Sequence, residues 1–261
     1  MRTFNLVIID GSNAASVPAP ELRRKIGYVI QAVGLLPHLT IGENIAVVPQ
    51  LLGWDRARID ARVGELLHMV RLDPVYRDRL PRELSGGEQQ RVGVARAVAA
   101  EPPLLLMDEP FGALDAIVRA ELQAELLRIH RDLGTTIVFV THDIDEALRI
   151  ADRIAVMHSG RLLQIDAPLR LLTHPADPYV AELTDASNVL RRLSLMQAGE
   201  AATSDASAGV DGSAPRIDAA STLRAALERM LLEGEPLVVV ENGRTRGILR
   251  FATIAAALRH P

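Results

Sequence analysis

Cysteine is absent from the 261 residues, so the chain has no thiol for a disulfide or a thiolate metal site. No apolar run approaches the roughly 20 residues that span a bilayer, and the opening MRTFNLVIIDG turns polar too soon for a signal peptide. The net charge of −4 gives no general basic field, so no nucleic-acid partner is expected. The cytoplasm is the simplest location for such a chain.

Lysine is almost absent, because Lys25 is the one lysine among 29 basic side chains. The common phosphate-binding loop, G-x-x-x-x-G-K-[ST], holds phosphates with its backbone N–H groups and its lysine, and holds Mg²⁺ with its hydroxyl. Lys25 stands between Arg24 and Ile26, with no glycine pattern around it. The 261 residues therefore contain no phosphate loop of that form.

Apolar residues follow α/β patterns in the first 150 residues. Helical spacing over 56–72 predicts an amphipathic helix whose apolar positions are Ile59, Val63, Leu66, Leu67 and Val70. The uninterrupted runs PLLLM (103–107) and TIVFV (136–140) are typical of strands in a covered parallel sheet. Between them we predict a helix capped by Asp115 and stopped by Gly134. Strand, helix, strand is the α/β crossover pattern.

The last third of the chain predicts a second, smaller domain. RIAVMHSGRLLQID predicts a hairpin turning at Ser159-Gly160, and GEAATSDASAGVDGSAP (199–215) predicts a flexible segment. From Arg216 onward we expect a helix stopped by Gly234, a hairpin around Asn242-Gly243 and a closing helix in ATIAAALRH. We expect domains at 1–190 and 191–261, the first with a helical subdomain at about 41–100.

Two carboxylates, Asp108 and Glu109, end the PLLLM strand. Hydrolysis of a nucleoside triphosphate needs a metal ion that neutralises charge and a group that orients and deprotonates water. A strand that delivers two successive carboxylates at its tip can supply a metal ligand with the first and a water-activating base with the second. An isolated Asp-Glu-Pro is equally compatible with solvated acids at a strand end.

A glycine pair stands before another predicted helix, in LSGGEQQR. Ser85, Gly86 and Gly87 would present the N–H groups and positive end of a helix that begins near Glu88, which is a cradle for phosphate. Such a sequence alone is more often an ordinary helix cap. His142 and Gln31 each follow a predicted strand. A histidine in this place is more often structural than a phosphate ligand, and the glutamine is equally compatible with an ordinary polar turn.

Taken together and in this order, these motifs closely resemble the ATP-binding subunits of ABC transporters over roughly residues 7–185. In that family's terms, Gln31 lies in the Q-loop, LSGGEQQ (84–90) is the signature and LLLMDE (104–109) is Walker B. GALD (112–115) is the D-loop, and His142 is the switch histidine. The resemblance implies a P-loop-NTPase-like parallel sheet core, here N-terminally truncated, because VIIDG (7–11) matches the strand that follows the P-loop helix.

The family can be narrowed from LRRKIGYVIQAVGLLPHLTIGENIAVVPQLLGW (22–54), which looks like the importers of osmoprotectants such as glycine betaine, choline, carnitine or proline. Residues 194–202 and 216–258 resemble a single CBS module, a small α+β regulatory domain. Members of this group commonly carry two such modules, so a sensor built from a pair of modules would here need two chains.

The resemblance implies a site for ATP and Mg²⁺. Glu109 and His142 are then catalytic, and Gln31 and Asp108 are the metal ligands. The nucleotide-binding set is Gln31, Ser85, Gly86, Gly87, Glu88, Asp108, Asp115 and His142. The implied partners are integral-membrane permease subunits, a solute-binding protein and a second ATP-binding subunit. The implied location is the cytoplasmic face of the plasma membrane, without a transmembrane segment.

Three functional hypotheses follow from these residues. The first is an importer ATPase whose sequence here lacks its first portion, and the second is a catalytically degenerate subunit that lends its LSGGE signature to an intact partner. The third is an ABC-type ATPase of chromosome maintenance or repair. It is disfavoured because the signature lies close to Walker B, without an intervening coiled coil.

Overall fold

The computed structural model describes residues 7–9, 11–30, 34–112, 114–203 and 214–259. The chain divides into two compact units, Met1–His142 and Asp143–Pro261. This division does not test the domain boundary that the sequence predicts between residues 190 and 191, which stays a prediction.

The first unit combines a parallel sheet with helices. Strands β3 (Ile26–Val29), β4 (Leu104–Asp108) and β5 (Thr136–Val140) pair in parallel in the order β3-β4-β5, and β1 (Ile8–Ile9) pairs with β2 (Ser12–Asn13) as a short antiparallel ribbon. The elements of this unit are β1 (Ile8–Ile9), β2 (Ser12–Asn13), α1 (Ala19–Arg24), β3 (Ile26–Val29), α2 (Ile41–Leu51), α3 (Arg56–Met69), α4 (Gly86–Val98), β4 (Leu104–Asp108), α5 (Ala116–Leu133) and β5 (Thr136–Val140). The predicted strands and the predicted parallel pairing are confirmed.

The helix predicted over 56–72 is confirmed as α3, and its apolar stripe is buried. Ile59, Val63, Leu66 and Leu67 are all buried, as is Val70 just beyond the last helical residue. The helix between the two strands is also confirmed. Asp115 caps α5 by accepting from the N–H groups of Ile117 and Val118, and Gly134 ends it in the left-handed conformation at φ 63°.

The parallel sheet has one covered face and one open face. Register places Leu105 beside Ile137, on the face that packs into the main hydrophobic core of this unit. The opposite face carries Tyr28, Val138 and Val140, whose exposed fractions are 52%, 49% and 53%. Parallel sheets are ordinarily covered on both faces. An exposed apolar face is therefore unusual for a parallel sheet.

Gly27 in β3 is required by a close approach of helix α4. A Cβ built at Gly27 overlaps the carbonyl oxygen of Ala97 and Cδ2 of Leu105. Glycine alone lets the strand lie against the helix at this separation.

The second unit contains two separate sheets. Strands β6 (Ile154–His158) and β7 (Arg161–Asp166) form a hairpin that turns at Ser159-Gly160. Strands β8 (Arg216–Asp218), β9 (Leu237–Glu241) and β10 (Arg244–Leu249) form a three-stranded sheet in the order β10-β9-β8. Its elements are α6 (Ile144–Ile150), β6 (Ile154–His158), β7 (Arg161–Asp166), α7 (Pro168–Thr173), α8 (Pro178–Thr184), α9 (Val189–Leu193), α10 (Ala198–Ala201), β8 (Arg216–Asp218), α11 (Leu223–Glu233), β9 (Leu237–Glu241), β10 (Arg244–Leu249) and α12 (Phe251–Arg259).

Sequence expectations for the second unit hold at the hairpins and helix ends. Both predicted hairpins are confirmed, and Gly234 ends α11 at φ 73°. In the stretch predicted to be flexible, Gly199 lies within helix α10, while 204–213 fall outside the described residues. None of the helices in the described part of the chain combines the length and apolar character needed to cross a membrane.

Candidate functional site

Three candidate residues gather where β4 and β5 end. Asp108 is the last residue of β4 and lies beside Val140, the last residue of β5. Glu109 follows Asp108, and its N–H donates to the carbonyl oxygen of Val140 over 2.9 Å. His142 stands two residues beyond β5. Carboxyl ends of parallel strands are where α/β sheets bind ligands.

Glu109 and His142 form the central pair of this site. Nδ1 of His142 lies 2.9 Å from Oε1 of Glu109. The histidine side chain is 76% exposed and the glutamate side chain 26%. The pair therefore combines a held carboxylate with an imidazole that solvent or a ligand can reach.

The backbone of Glu109 adopts an uncommon conformation. Its φ is +45°, in the left-handed region that residues with a side chain seldom occupy. Such strain persists where the surroundings hold it, and it is frequent at functional sites. Two described contacts hold the carbonyl oxygen of Glu109: the N–H of Gly112 donates to it over 3.2 Å, and Nε2 of Gln90 donates over 3.1 Å.

Asp108 is a half-buried carboxylate with no hydrogen bond or ion pair to any of the residues that the structure describes. No group of three or more His, Cys, Asp or Glu that could hold a metal is found within the described ranges. Mg²⁺ is commonly bound by one or two carboxylates, with water and substrate phosphates completing its shell. A single unengaged carboxylate at a strand end fits that mode of binding.

The N-terminus of α4 is a capping box built from the glycine motif. The N–H of Glu88 donates to Oγ of Ser85 over 3.3 Å. In return, the N–H and the hydroxyl of Ser85 both donate to Oε2 of Glu88 over 2.7 Å. This reciprocal arrangement satisfies donors that a helix start leaves without partners.

Tyr76 supplies a third donor to Glu88. Its hydroxyl donates to Oε1 over 2.7 Å, from the short helical turn Pro74–Asp78. The hydrogen bond from Tyr76, followed by those from Ser85, lowers the pKa of Glu88 below its ordinary value. The same bond raises the pKa of the Tyr76 hydroxyl. A carboxylate that is ionised at neutral pH thus sits inside the first turn of α4.

Gly86 has no steric reason within the described residues to be glycine. A Cβ at this position would meet nothing within 4 Å. Gly86 and Gly87 are the first two residues of α4, whose leading N–H groups have no acceptor inside the helix. A glycine that faces open space at a helix start leaves room for close approach by a ligand or another molecule.

The structure brings together some of the residues selected from sequence. Asp108, Glu109 and His142 meet at one edge of the sheet. Asp115 acts as the cap of α5, and its described contacts are those of the cap. Gln31 lies outside the described residues.

Sequence reasoning missed two residues of the site, Gln90 and Tyr76. Gln90 lies inside LSGGEQQ, but nothing in the letters shows that its side chain turns inward onto Glu109. Tyr76 lies twelve positions before Glu88. A lone tyrosine in a polar segment is not a signal that pattern reasoning can use.

Comparison with known proteins places these features in a family. The family model described as ABC transporter matches residues 5–112. The glycine betaine uptake system ATP-binding protein YehX of Escherichia coli K12 is 48% identical over 244 residues, which cover 92% of this chain and 78% of that protein. The glycine betaine/carnitine/choline transport ATP-binding protein OpuCA of Bacillus subtilis is 54% identical over 176 residues. That match covers 67% of this chain and only 46% of OpuCA.

A solved structure shares the fold. It is the dimeric ATP-binding cassette MJ0796 in a post-hydrolysis state bound to ADP and Pi. The TM-score is 0.56 at 33% sequence identity, over 61% of this chain and 72% of that one.

Proposed function

The chain belongs to the ABC transporter family of ATP-binding proteins, and from this premise we propose that it is the ATP-binding subunit that energises an importer of osmoprotectants. The solutes are quaternary amines of the kind named for its relatives, such as glycine betaine and choline. Subunits of this family bind ATP, and in importers they dimerise and pair with permease and substrate-binding components.

The Glu109–His142 pair is the observation that supports an ATPase site. A water molecule beside Oε2 of Glu109 would lose its proton to that carboxylate as it attacks the terminal phosphate. Nδ1 of His142 lies 2.9 Å from the other oxygen of the carboxylate, and its exposed ring would contact the phosphate. Both residues are catalytic in this proposal.

Asp108 would hold Mg²⁺, together with Gln31 from the preceding strand end. Magnesium, when bound, neutralises charge on the phosphate oxygens. The half-buried carboxylate of Asp108 is free to take that role, since it forms no ion pair with the described residues. The chain's own contribution is to fix this ligand directly beside the base at Glu109.

The start of α4 would bind phosphate of a nucleotide held mainly by another subunit. Ser85, Gly86 and Gly87 offer a hydroxyl and the leading N–H groups of a helix, and Gly86 faces open space. Glu88 stabilises this turn from inside. Asp115, in the D-loop, would lie at the same boundary between subunits.

The phosphate loop is the missing part of a complete site. Charge-assisted hydrogen bonds contribute about 1.5–3 kcal/mol each, so four or five of them represent roughly 6–15 kcal/mol. A micromolar site has about 8 kcal/mol in total. We therefore propose that the 261 residues alone do not bind ATP usefully. A longer form of the chain, or a partner, would supply the loop.

The lack of a phosphate loop in these 261 residues also favours a second candidate function. Because Lys25 ends the short helix α1 and belongs to no glycine loop, the chain also fits a degenerate subunit that donates its signature to an intact partner. The C-terminal residues 191–261 would act as a single CBS-like regulatory module in either case. Location at the cytoplasmic face of the membrane would follow from the permease partner.

Phosphate release from ATP tests the catalytic part of the proposal. The purified chain alone is expected to remain at the buffer background. Turnover by the chain alone that Glu109→Gln abolishes would show that it forms a complete site, against the account of the missing loop.

Signature donation is tested by adding intact YehX to the chain. Turnover per YehX should change on mixing, and Ser85→Ala should remove that change. Ser194→Ala is the control, because it also removes a hydroxyl hydrogen bond, to Leu190 in the second unit. An identical effect of the two variants would exclude the signature as the cause.

The solute is tested in proteoliposomes that contain the chain, its co-purifying permease and a subunit that supplies the phosphate loop. Glycine betaine should stimulate ATP turnover there, and sulfate should not. Sulfate is the informative control because a sulfate/thiosulfate import ATP-binding protein is also 48% identical to this chain. Stimulation by sulfate alone would overturn the osmoprotectant assignment.

A further inference from the structure

Gln90 connects the glycine-motif helix to the backbone of the catalytic glutamate. It lies four residues after Gly86 in α4 and is 3% exposed. Its Nε2 donates to the main-chain carbonyl oxygen of Glu109 over 3.1 Å. The contact joins residues nineteen positions apart in the sequence, one in the signature and one in Walker B.

The hydrogen bond from Gln90 is made to the residue of the site whose backbone is strained, Glu109. Glu109 has φ +45°, and a residue with a Cβ leaves that region unless neighbouring groups hold it. On one side its N–H is fixed to Val140. On the other side its carbonyl oxygen is held by Gly112, within the same turn, and by Gln90, from a different element.

The direction of the carboxylate depends on that backbone. The Cα–Cβ bond turns with φ, so relaxation of Glu109 to an ordinary conformation would swing its side chain away. The 2.9 Å contact between Oε1 and Nδ1 of His142 would then break. A carboxylate that acts as a base must be held in reach of its water.

We propose that Gln90 is a positioning residue that holds the left-handed backbone of Glu109 and thereby links the start of α4 to the catalytic carboxylate. Ser85 caps the same continuous helix, Gly86–Val98, so a displacement at the cap is carried to Gln90 by a rigid element. In a dimer, α4 of one subunit would contact the phosphate at one nucleotide site. Through Gln90, that contact would affect Glu109 of the same subunit, which is the base at the other nucleotide site. This proposal rests on the proposed function for the role of Glu109.

The alternative to a positioning role is that the hydrogen bond only satisfies the buried side-chain amide of Gln90 itself. Gln123, on α5, is also a buried glutamine at 3% exposure and provides the matched control. Substitution of either glutamine removes a buried amide from the same unit. Gln90 donates to the carbonyl oxygen of Glu109, so its loss should act on the catalytic turn.

Hydrogen exchange and NMR on the whole chain test the proposal without requiring ATP turnover. Gln90→Met keeps the length of the side chain without the donor, and Gln90→Glu keeps its shape. Both should speed exchange of the Glu109 and Gly112 amides about tenfold, the loss expected for one hydrogen bond. Both should also shift the ring ¹⁵N signals of His142, assigned by their absence in His142→Gln.

Gln123→Met should leave the exchange at Glu109 and the His142 signals unchanged, even where it lowers overall stability. Unchanged exchange and unchanged His142 signals in both Gln90 variants would overturn the proposal. An increase spread evenly over the chain, or unfolding of both variants, would assign Gln90 a general structural role and also overturn it. Failure of the ATPase assays alone would leave this positioning measurable and would count against the proposed function instead.

Discussion

The hydroxyl of Tyr76 and the carboxylate of Glu88 form a 2.7 Å hydrogen bond that ties a short helical turn to the start of α4. Glu88 receives two further donations from Ser85, through its N–H and its hydroxyl. The carboxylate thereby accepts three hydrogen bonds while it remains close to the surface. Tyr76, a residue outside the glycine motif, therefore stabilises the N-terminal turn of α4 that would bind phosphate.

Tyr76→Phe should remove the hydrogen bond to Glu88 without changing the apolar packing of the ring. We expect the melting temperature at pH 7 to fall by about 2–4 °C, the shift typical of one modest interaction in a protein of this size. Differential scanning calorimetry measures it. Tyr28→Phe is the control, because Tyr28 is 52% exposed on the open face of the sheet and should melt like the parent.

The Tyr76–Glu88 bond also predicts a pH dependence. The pKa of Glu88 is lowered in the folded state, so its stabilisation is present above the ordinary glutamate value of about 4.3 and is lost as pH falls through the lower folded-state value. The pKa of Tyr76 is raised, so its contribution is complete below about pH 10 and is lost as pH rises through the folded-state value. The difference between the parent and Tyr76→Phe should therefore narrow at both extremes of pH. A constant difference from pH 3 to 11 would contradict the assigned bond.

Gly27→Ala and Gly64→Ala should change stability in opposite directions. At Gly27 the added methyl overlaps the Ala97 carbonyl and Leu105, so the strand must move from α4, at a cost of about 1–3 kcal/mol. At Gly64, inside α3, it meets nothing within 4 Å, and alanine should stabilise by roughly 0.5–1 kcal/mol. Urea unfolding measures both. Equal changes at the two positions would contradict the close approach of β3 to α4.

Local patterns predicted much of this fold because the corresponding interactions are local. The apolar spacing around Ile59 and Val63 marks the buried stripe of α3, and the cap at Asp115 acts within its own helix turn. Contacts distant in sequence were not predictable in the same way. The inward turn of Gln90 and the left-handed backbone of Glu109 depend on how α4 packs beside β4, which single residues do not encode.

Variants of Asp115 can distinguish its role as the cap of α5 from a role at the boundary between subunits. Asp115→Ala removes the acceptor for two N–H groups of α5 and should cost about 1 kcal/mol. Asp115→Asn keeps a capping oxygen and should retain stability while it removes the charge. If Asp115 also acts at the boundary between subunits, Asp115→Asn will weaken the effect of the chain on YehX turnover at unchanged stability. Retention of the full effect would confine Asp115 to capping.

The open face of the parallel sheet should bind an apolar dye. Val138 and Val140 are about half exposed and lie on the same face of one strand, so they form part of a continuous apolar surface with Tyr28. Threonine has a similar shape and a high preference for strands, so Val138→Thr should leave stability within about 0.5 kcal/mol. It should nevertheless lower the fluorescence of anilinonaphthalene sulfonate, because the dye reports exposed apolar area. Ile117→Thr, at a position 75% exposed on α5, is the control and should leave the dye signal unchanged. Equal loss of signal in both variants would mean that the dye binds scattered side chains and not the face of the sheet.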